Sequence, residues 1–346
     1  MPFFDQFRPQ RPVMNMCMMG PKAVGKTTVM TAVFNETQTS IYGTSLNLTA
    51  KGDTGVELMD RLHMLYAVFA KKKDITDNSN QVANVGISAS ATVTRFDFGF
   101  GHLGKEPVID ITAKDFPGEM VLDRPDEVKT FILQSHCVMV AIDTPHLMER
   151  GGEFNDVKNK PQQVMSLFAD ALADINTEKL VLLVPLKCEK YFHEQRMGEV
   201  LAKVEATYAD LIKLLSATGK VCCAVAPILT LGGVEFDDFS YNADGSVQLA
   251  PDGCPAGVKY KYASDCKYAP LFCSQPLYSL LLFVAAQYKR ESGRLSIMDM
   301  LRNLIWRAFR NDDQLFDEIL KMNRNRIADD QKLGYKVMCG GNLFNI

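Results

Sequence analysis

Three continuously apolar runs lie in the central part of the chain, at residues 137–142, 180–184 and 221–226. Segments 161–175 and 197–218 separate them and carry apolar residues at helical spacing. Strands that are apolar throughout and alternate with helices are typical of a parallel sheet covered on both faces. The pattern therefore predicts an α/β fold with three layers, α/β/α, around a mostly parallel sheet.

The N-terminal part shows related patterns. An apolar run at 13–19 leads into a helical segment that continues through 28–34, and 56–69 again has helical spacing. Segment 92–100 alternates as a half-exposed strand does, and a short glycine-containing turn joins it to the apolar run 108–112. We expect these two strands to form a hairpin.

The alternation of apolar strands and helices is interrupted after residue 234. Residues 235–270 are rich in Gly, Pro, Asp and Tyr and are interpreted as an insertion, with a hairpin turn at 243–246. The apolar segment 276–288 predicts a helix that packs on the sheet, and 296–328 predicts basic helix. The expected organisation is an N-terminal lead at 1–11, a main α/β domain at 12–288 that contains the insertion, a helical extension at 289–335 and a tail at 336–346.

Composition narrows the function classes. The chain has 346 residues, 47% of them hydrophobic, and a net charge of −3, so no basic surplus is present to neutralise a nucleic-acid backbone, and no nucleic-acid partner is expected. No apolar run reaches the length of a membrane span, and no signal peptide is recognised. Nine cysteines without paired spacing favour a reducing, cytoplasmic location.

The most specific signal is a complete phosphate-loop motif, G-x-x-x-x-G-K-T, placed between a predicted strand and a predicted helix. Its backbone N–H groups and the helix N-terminus would bind a triphosphate. Lys26 would reach the β- and γ-phosphates, and the Thr27 hydroxyl would bind Mg²⁺. The expected phosphate-binding residues are Gly20, Lys22, Ala23, Val24, Gly25, Lys26, Thr27 and Thr28.

A second acidic element follows the strand at 108–112. Asp115 to Gly118 form a D-x-x-G segment, in which Asp115 would hold Mg²⁺ and Gly118 would donate its N–H to the γ-phosphate. Such a segment would tighten when the γ-phosphate is present. Asp110, inside the strand, is the competing acidic residue.

These motifs together resemble the P-loop GTPases of the Ras-like and translation-factor superclass, over residues 12–233. The resemblance implies a strand followed by [NT]-K-x-D, whose lysine and acid contact guanine. Here the strand ends in Leu186, Lys187, Cys188 and Glu189, so the first position departs from the family pattern. Glutamate can accept the same pair of hydrogen bonds as aspartate. Guanine selectivity is therefore predicted, with GTP or GDP as the ligand.

The resemblance assigns further residues. Glu119 stands where many such GTPases carry a water-orienting glutamine, and a carboxylate there predicts slow intrinsic hydrolysis or a partner's arginine. A first-switch hydroxyl is expected from Ser88, Ser90 or Thr92, among which the sequence does not choose. The last base-contacting loop would include Pro227 and Ile228.

More narrowly, the short motifs at 115–119, 185–189, 230–233 and 273–277 resemble bacterial GTPase-like proteins of conflict and phage-defence systems, including the double-GTPase type. That resemblance implies a nucleotide-gated component that works with protein partners from neighbouring genes, and it allows a homodimer. Two alternatives remain open: an ATPase that uses the same phosphate loop, and an interaction module that binds nucleotide with little hydrolysis.

Overall fold

The computed structural model describes residues 11–70, 81–82, 92–264, 267–291, 312–322 and 326–344. Within these ranges, eight strands form one sheet. They are β1 (Val13–Met19), β2 (Leu46–Ala50), β4 (Thr94–His102), β5 (Ile109–Asp115), β6 (Cys137–Asp143), β7 (Lys179–Leu186), β8 (Val221–Val225) and β11 (Lys336–Cys339). Their order in the sheet is β11-β8-β7-β6-β1-β5-β4-β2. The five central strands, from β8 to β5, are mutually parallel.

Twelve α-helices are described in the same ranges. They are α1 (Lys26–Ser40), α2 (Thr54–Ala70), α3 (Met120–Asp123), α4 (Pro125–Gln134), α5 (Thr144–Met148), α6 (Asn155–Lys158), α7 (Pro161–Leu172), α8 (Glu189–His193), α9 (Met197–Thr207), α10 (Ala209–Ala217), α11 (Gln275–Glu291) and α12 (Asp313–Met322). None of these helices combines the length and the hydropathy needed to cross a bilayer.

Two apolar cores lie on opposite faces of the sheet. One joins the sheet to α1, α11 and α12, and the other joins it to α4, α7, α9 and α10. Successive side chains of a strand point to opposite faces, so β1 contributes Met16 and Met18 to the first core and Cys17 and Met19 to the second. The predicted α/β/α layering with a mostly parallel sheet is confirmed.

The segment interpreted as an insertion forms a small sheet of its own. β9 (Val234–Phe239) and β10 (Val258–Tyr262) pair antiparallel, and β3 (Gln81–Val82) pairs with the other edge of β10. A turn between Asn242 and Ser246 occurs at the predicted position. Phe236 and Phe239 pack against Phe154 in a separate apolar cluster, which fixes this sheet to the main domain.

Most predicted elements occur, with two differences. The predicted hairpin is present as β4 and β5. β2, which pairs with β4, was not predicted, because it lies in a polar part of the sequence that does not show a strand pattern. The helical segment 197–218 divides into α9 and α10 at Tyr208. Much of the predicted basic helix at 296–328 lies outside the described residues.

The expected tail at 336–346 is corrected. Residues 336–339 form β11, which pairs antiparallel with β8 at the edge of the main sheet. Gly340 has φ 66° and lies so close to β8 that a Cβ there would be 2.2 Å from the Val221 carbonyl oxygen. Leu343 and Phe344 are buried in the first core. Residues 336–344 therefore pack on the main sheet instead of forming a tail.

Candidate functional site

The loop between β1 and α1 has the backbone of a phosphate cradle. Gly20, Ala23 and Gly25 all have positive φ, at 149°, 59° and 104°. A Cβ on Gly20 would lie 2.7 Å from the carbonyl oxygen of Ala141 on β6, so only glycine fits there. Gly25 precedes the first residue of α1. The loop thus brings the helix N-terminus to the carboxyl edge of the sheet, where a phosphate would be bound.

Lys26 folds back over this loop. Its Nζ donates to the carbonyl oxygens of Gly20 at 3.1 Å and Pro21 at 3.0 Å. The side chain is buried, and this burial lowers the pKa of Lys26, although the nearby Asp115 and Glu119 oppose the shift. An ammonium held by two carbonyl oxygens inside the cradle is placed to exchange them for phosphate oxygens.

Thr27 and Asp115 meet at the predicted metal position. The Thr27 hydroxyl donates to Asp115 Oδ2 at 2.8 Å, across 88 residues of sequence. Asp115 ends β5 and is buried, and its Oδ1 has no hydrogen-bond partner among the described residues. Burial raises the pKa of Asp115, partly offset by Lys26 and Thr27. A buried orphan carboxylate oxygen beside a threonine hydroxyl is a donor pair that fits Mg²⁺.

The competing acid, Asp110, lies elsewhere. It is the second residue of β5 and pairs in register with Val13, at the opposite end of the strands from the phosphate loop. Its carboxylate forms ion pairs with Lys51 and Arg11. Asp110 therefore has a structural partner in the fold, and Asp115 is the acid beside the cradle.

The D-x-x-G segment lies directly against the phosphate loop. A Cβ on Gly118 would lie 2.6 Å from the backbone nitrogen of Lys22 and 2.7 Å from the carbonyl oxygen of Gly20. Next to it, Glu119 accepts an ion-pair contact from Lys22 Nζ at 2.9 Å. This contact lowers the pKa of Glu119. Glu119 is thus tied to the loop, with part of its negative charge compensated.

Lys187 approaches the same loop from the end of β7. Its Nζ donates to the Ala23 carbonyl oxygen at 3.1 Å and to Asp143 Oδ2 at 2.8 Å. His146 Nδ1 lies 2.6 Å from the other carboxylate oxygen of Asp143. Burial alone would lower the pKa of Lys187, but the charge of Asp143 overrides it and raises that pKa. Lys187 therefore supports the backbone of the phosphate loop from outside the cradle.

Glu189 is engaged by a backbone loop. It is buried, and its Oε1 accepts the N–H of Leu231 at 3.1 Å. Burial raises the pKa of Glu189, and hydrogen bonds from the N–H groups of Leu231 and Gly232 offset part of this rise. Pro227 and Ile228 are both buried, and the Ile228 N–H donates to the Pro185 carbonyl oxygen. These three residues connect the loops that follow β7 and β8.

The other predicted positions are distributed as follows. Lys22 and Ala23 are exposed at the tip of the loop, Val24 is buried beneath it, and Thr28 is half-buried in the first turn of α1. Thr92 is exposed just before β4. Ser88 and Ser90, the other candidates for the first-switch hydroxyl, lie outside the described residues.

Two residues of this site were missed in the sequence. Asp143 is the last residue of β6 and caps the short helix α5, because its Oδ1 accepts the His146 N–H. This local role gave no indication that Asp143 also contacts Lys187. Lys158 donates its Nζ to the Lys22 carbonyl oxygen at 3.0 Å. The end of an apolar strand beside a phosphate loop is the one local signal that could have indicated Asp143.

No protein-family model and no curated protein sequence matches this chain. Two solved structures that resemble it are crystal structures of the S. cerevisiae Ski7 GTPase-like domain. The one bound to GDP and inorganic phosphate has a TM-score of 0.38 and 11% identity, over 71% of this chain and 48% of that chain. The one bound to GTP has a TM-score of 0.37 and 10% identity, over 63% and 43%. The chain therefore spans less than half the length of those structures, and the fold assignment rests on the sheet topology described above.

Proposed function

We propose that this protein is a Mg²⁺-dependent GTP-binding protein that hydrolyses GTP and acts as a nucleotide-gated switch. The observation that carries the proposal is the meeting of a complete phosphate loop with the Thr27–Asp115 pair, whose second carboxylate oxygen has no protein partner in the described ranges. A phosphate cradle with an adjacent oxygen-donor pair is the combination that a nucleoside triphosphate with its metal requires.

Each residue has a defined part in this proposal. The N–H groups of the loop and Lys26 bind the phosphate oxygens, and Lys26 exchanges the carbonyls of Gly20 and Pro21 for them. Thr27 and Asp115 would hold the metal, which supplies neutralisation of charge on the terminal phosphates. Gly118 would donate its N–H to the γ-phosphate, and its close approach to the loop backbone supports this role.

Guanine is proposed as the base because Lys187 and Glu189 follow β7 in the order that the resemblance to P-loop GTPases implies. The engagement of Glu189 by the Leu231 N–H favours the alternative, an ATPase, since a carboxylate used in this way has fewer lone pairs for a base. Competition separates the two. Labelled GTP bound to the protein should be displaced by unlabelled GTP and much less by ATP; equal displacement would reject guanine selectivity.

Slow hydrolysis is proposed from Glu119. A carboxylate near the γ-phosphate repels charge, and Lys22 compensates only part of it in an exposed ion pair. This observation also supports the second candidate, an interaction module that retains nucleotide without hydrolysing it. Phosphate release at steady state decides between them: turnover that requires both Mg²⁺ and Lys26 supports the GTPase, and its complete absence supports the module.

We further propose a cytoplasmic role in a bacterial defence or conflict system, with protein partners encoded by neighbouring genes. The support for this narrower function is the set of short motifs at 115–119, 185–189, 230–233 and 273–277. Affinity purification from the native host, with Lys26→Ala as the control, tests it. A partner retained by the wild type and lost by the variant would support a nucleotide-gated component, and an identical set of proteins would oppose it.

A further inference from the structure

Tyr260 lies on the small sheet formed by the insertion and contacts Lys187, the residue that supports the phosphate loop. Its ring lies beside the ammonium of Lys187, with 5.8 Å between the ring centroid and Lys187 Nζ. The ammonium of Lys187 is therefore surrounded by a loop carbonyl at Ala23, the buried carboxylate of Asp143 and the Tyr260 ring. Two of these groups belong to the main domain, and the third comes from the insertion.

Tyr260 lies on a strand that is paired on both sides. β10 is the central strand of its sheet, with β9 on one side and β3 on the other. Tyr260 pairs with Phe236 of β9, and the register shifts between Lys259 and Tyr260, where β9 has one extra residue, Asp237. The insertion is also fixed nearby, because the His146 ring packs edge-on against Phe239 at 5.3 Å.

The position of the Thr27–Asp115 pair indicates the direction in which a bound nucleotide would extend across the sheet. Asp115 ends β5, and with Thr27 it would hold the metal ion that neutralises the terminal phosphates of a triphosphate. The terminal phosphates would therefore lie on the β5 side of β1. In this sheet β6 and β7 lie on the other side of β1, so the nucleoside extends over the carboxyl ends of β6 and β7. Lys187 and Tyr260 lie at that end.

We infer that Tyr260 is a specificity-determining residue of the nucleotide site, whose ring closes the nucleoside end and contacts the purine nucleoside. This inference rests on the proposed function, because it assumes that a triphosphate occupies the loop. The insertion then has a role: it brings an aromatic ring to the end of the site where the main sheet places Lys187 and Asp143. Removal of a ring that stacks on a base weakens binding by about 5- to 150-fold.

The test compares two ligands in the presence of Mg²⁺: GTP, and inorganic tripolyphosphate, which lacks a nucleoside. Calorimetry on Tyr260→Ala should show a loss of GTP affinity in the range above and an unchanged affinity for tripolyphosphate. Tyr260→Phe, which keeps the ring, should bind GTP nearly as the wild type does. Tyr241→Ala is the matched control, because Tyr241 is an exposed tyrosine of the same insertion, and it should leave both affinities unchanged.

Three outcomes would overturn the inference. Equal losses for both ligands would show that Tyr260 acts through Lys187 on the phosphate loop, unchanged affinities would remove it from the site, and tighter GTP binding would make it an obstruction. Wild-type protein that binds neither ligand would refute the proposed function itself. A measurement on the wild type does not depend on folding of a variant: an 8-azidoguanosine triphosphate photoproduct should map to the peptide with Tyr260, and labelling confined to other peptides would contradict the assignment.

Discussion

Replacement of Asp143 by asparagine should destabilise the protein strongly. The Asp143 carboxylate is fully buried and binds Lys187 Nζ at 2.8 Å and His146 Nδ1 at 2.6 Å. Asparagine keeps the shape of the side chain and removes its charge, so the largely buried ammonium of Lys187 loses its counter-ion. Breaking a buried ion pair by removing one partner costs about 3–5 kcal/mol.

The size of the chain converts this cost into a melting temperature. An unfolding entropy of about 2.1 cal/mol/K per residue gives about 0.7 kcal/mol/K for 346 residues. Asp143→Asn should therefore lower Tm by about 4–7 °C at pH 7. The matched control is Asp174→Asn, which breaks an exposed pair with Lys129. An exposed pair contributes at most about 1 kcal/mol, so Tm should fall by less than about 1.5 °C.

The pH dependence provides a second readout. Burial alone would raise the pKa of Asp143, but the charge of Lys187 and the contact with His146 outweigh burial and hold that pKa well below its usual range. A carboxyl with a depressed pKa in the folded state stabilises the protein above its ordinary pKa of about 3.9, and this stabilisation is lost as the pH falls. The difference in Tm between wild type and Asp143→Asn should therefore persist from pH 7 to pH 5 and shrink below about pH 4. A difference under about 1 °C at pH 7, or one that grows on acidification, would refute this reasoning.

Three further substitutions test the site. Asp115→Asn should weaken Mg²⁺-dependent GTP binding at least about tenfold, because it changes the buried carboxylate proposed to hold the metal; equal affinity with and without Mg²⁺ in the wild type would contradict that role. Glu119→Gln should raise the rate of phosphate release about fivefold, which corresponds to about 1 kcal/mol of relieved repulsion, and a slower rate would assign Glu119 a catalytic role. Gly118→Ala should lower Tm, because its Cβ would meet the backbone of Lys22 at 2.6 Å and overpacking costs about 1–3 kcal/mol; an unchanged Tm would show that this contact can open without cost.

The central fold was predictable because its signals are local. The apolar runs of β6, β7 and β8 are uninterrupted, and the phosphate-loop motif lies between a strand and a helix in the sequence as it does in the structure. β2 was missed because its five residues include Asn47 and Thr49 on the less buried face of an edge strand. β11 was missed because its four residues are only half-buried and depend on pairing with β8, more than a hundred residues earlier.

The site was predictable in part for the same reason. Lys26 and Thr27 belong to a contiguous motif, whereas Asp143 and Lys187 are 44 residues apart and meet only when β6 and β7 pair. Tyr260 belongs to the separate small sheet, and its ring lies beside Lys187, a contact that no spacing along the chain reveals. Contacts that depend on sheet order and on the packing of the insertion are therefore the part that required the structure.

Calorimetric titration of GTP with Mg²⁺ into wild-type protein and into Lys26→Ala tests the central claim most directly. The account predicts a saturable binding heat for the wild type and no measurable binding for the variant, because Lys26 is the ammonium held inside the cradle. Equal affinity of the two proteins for GTP, or no binding heat with GTP or ATP for the folded wild type, would contradict the claim that this loop binds a nucleoside triphosphate.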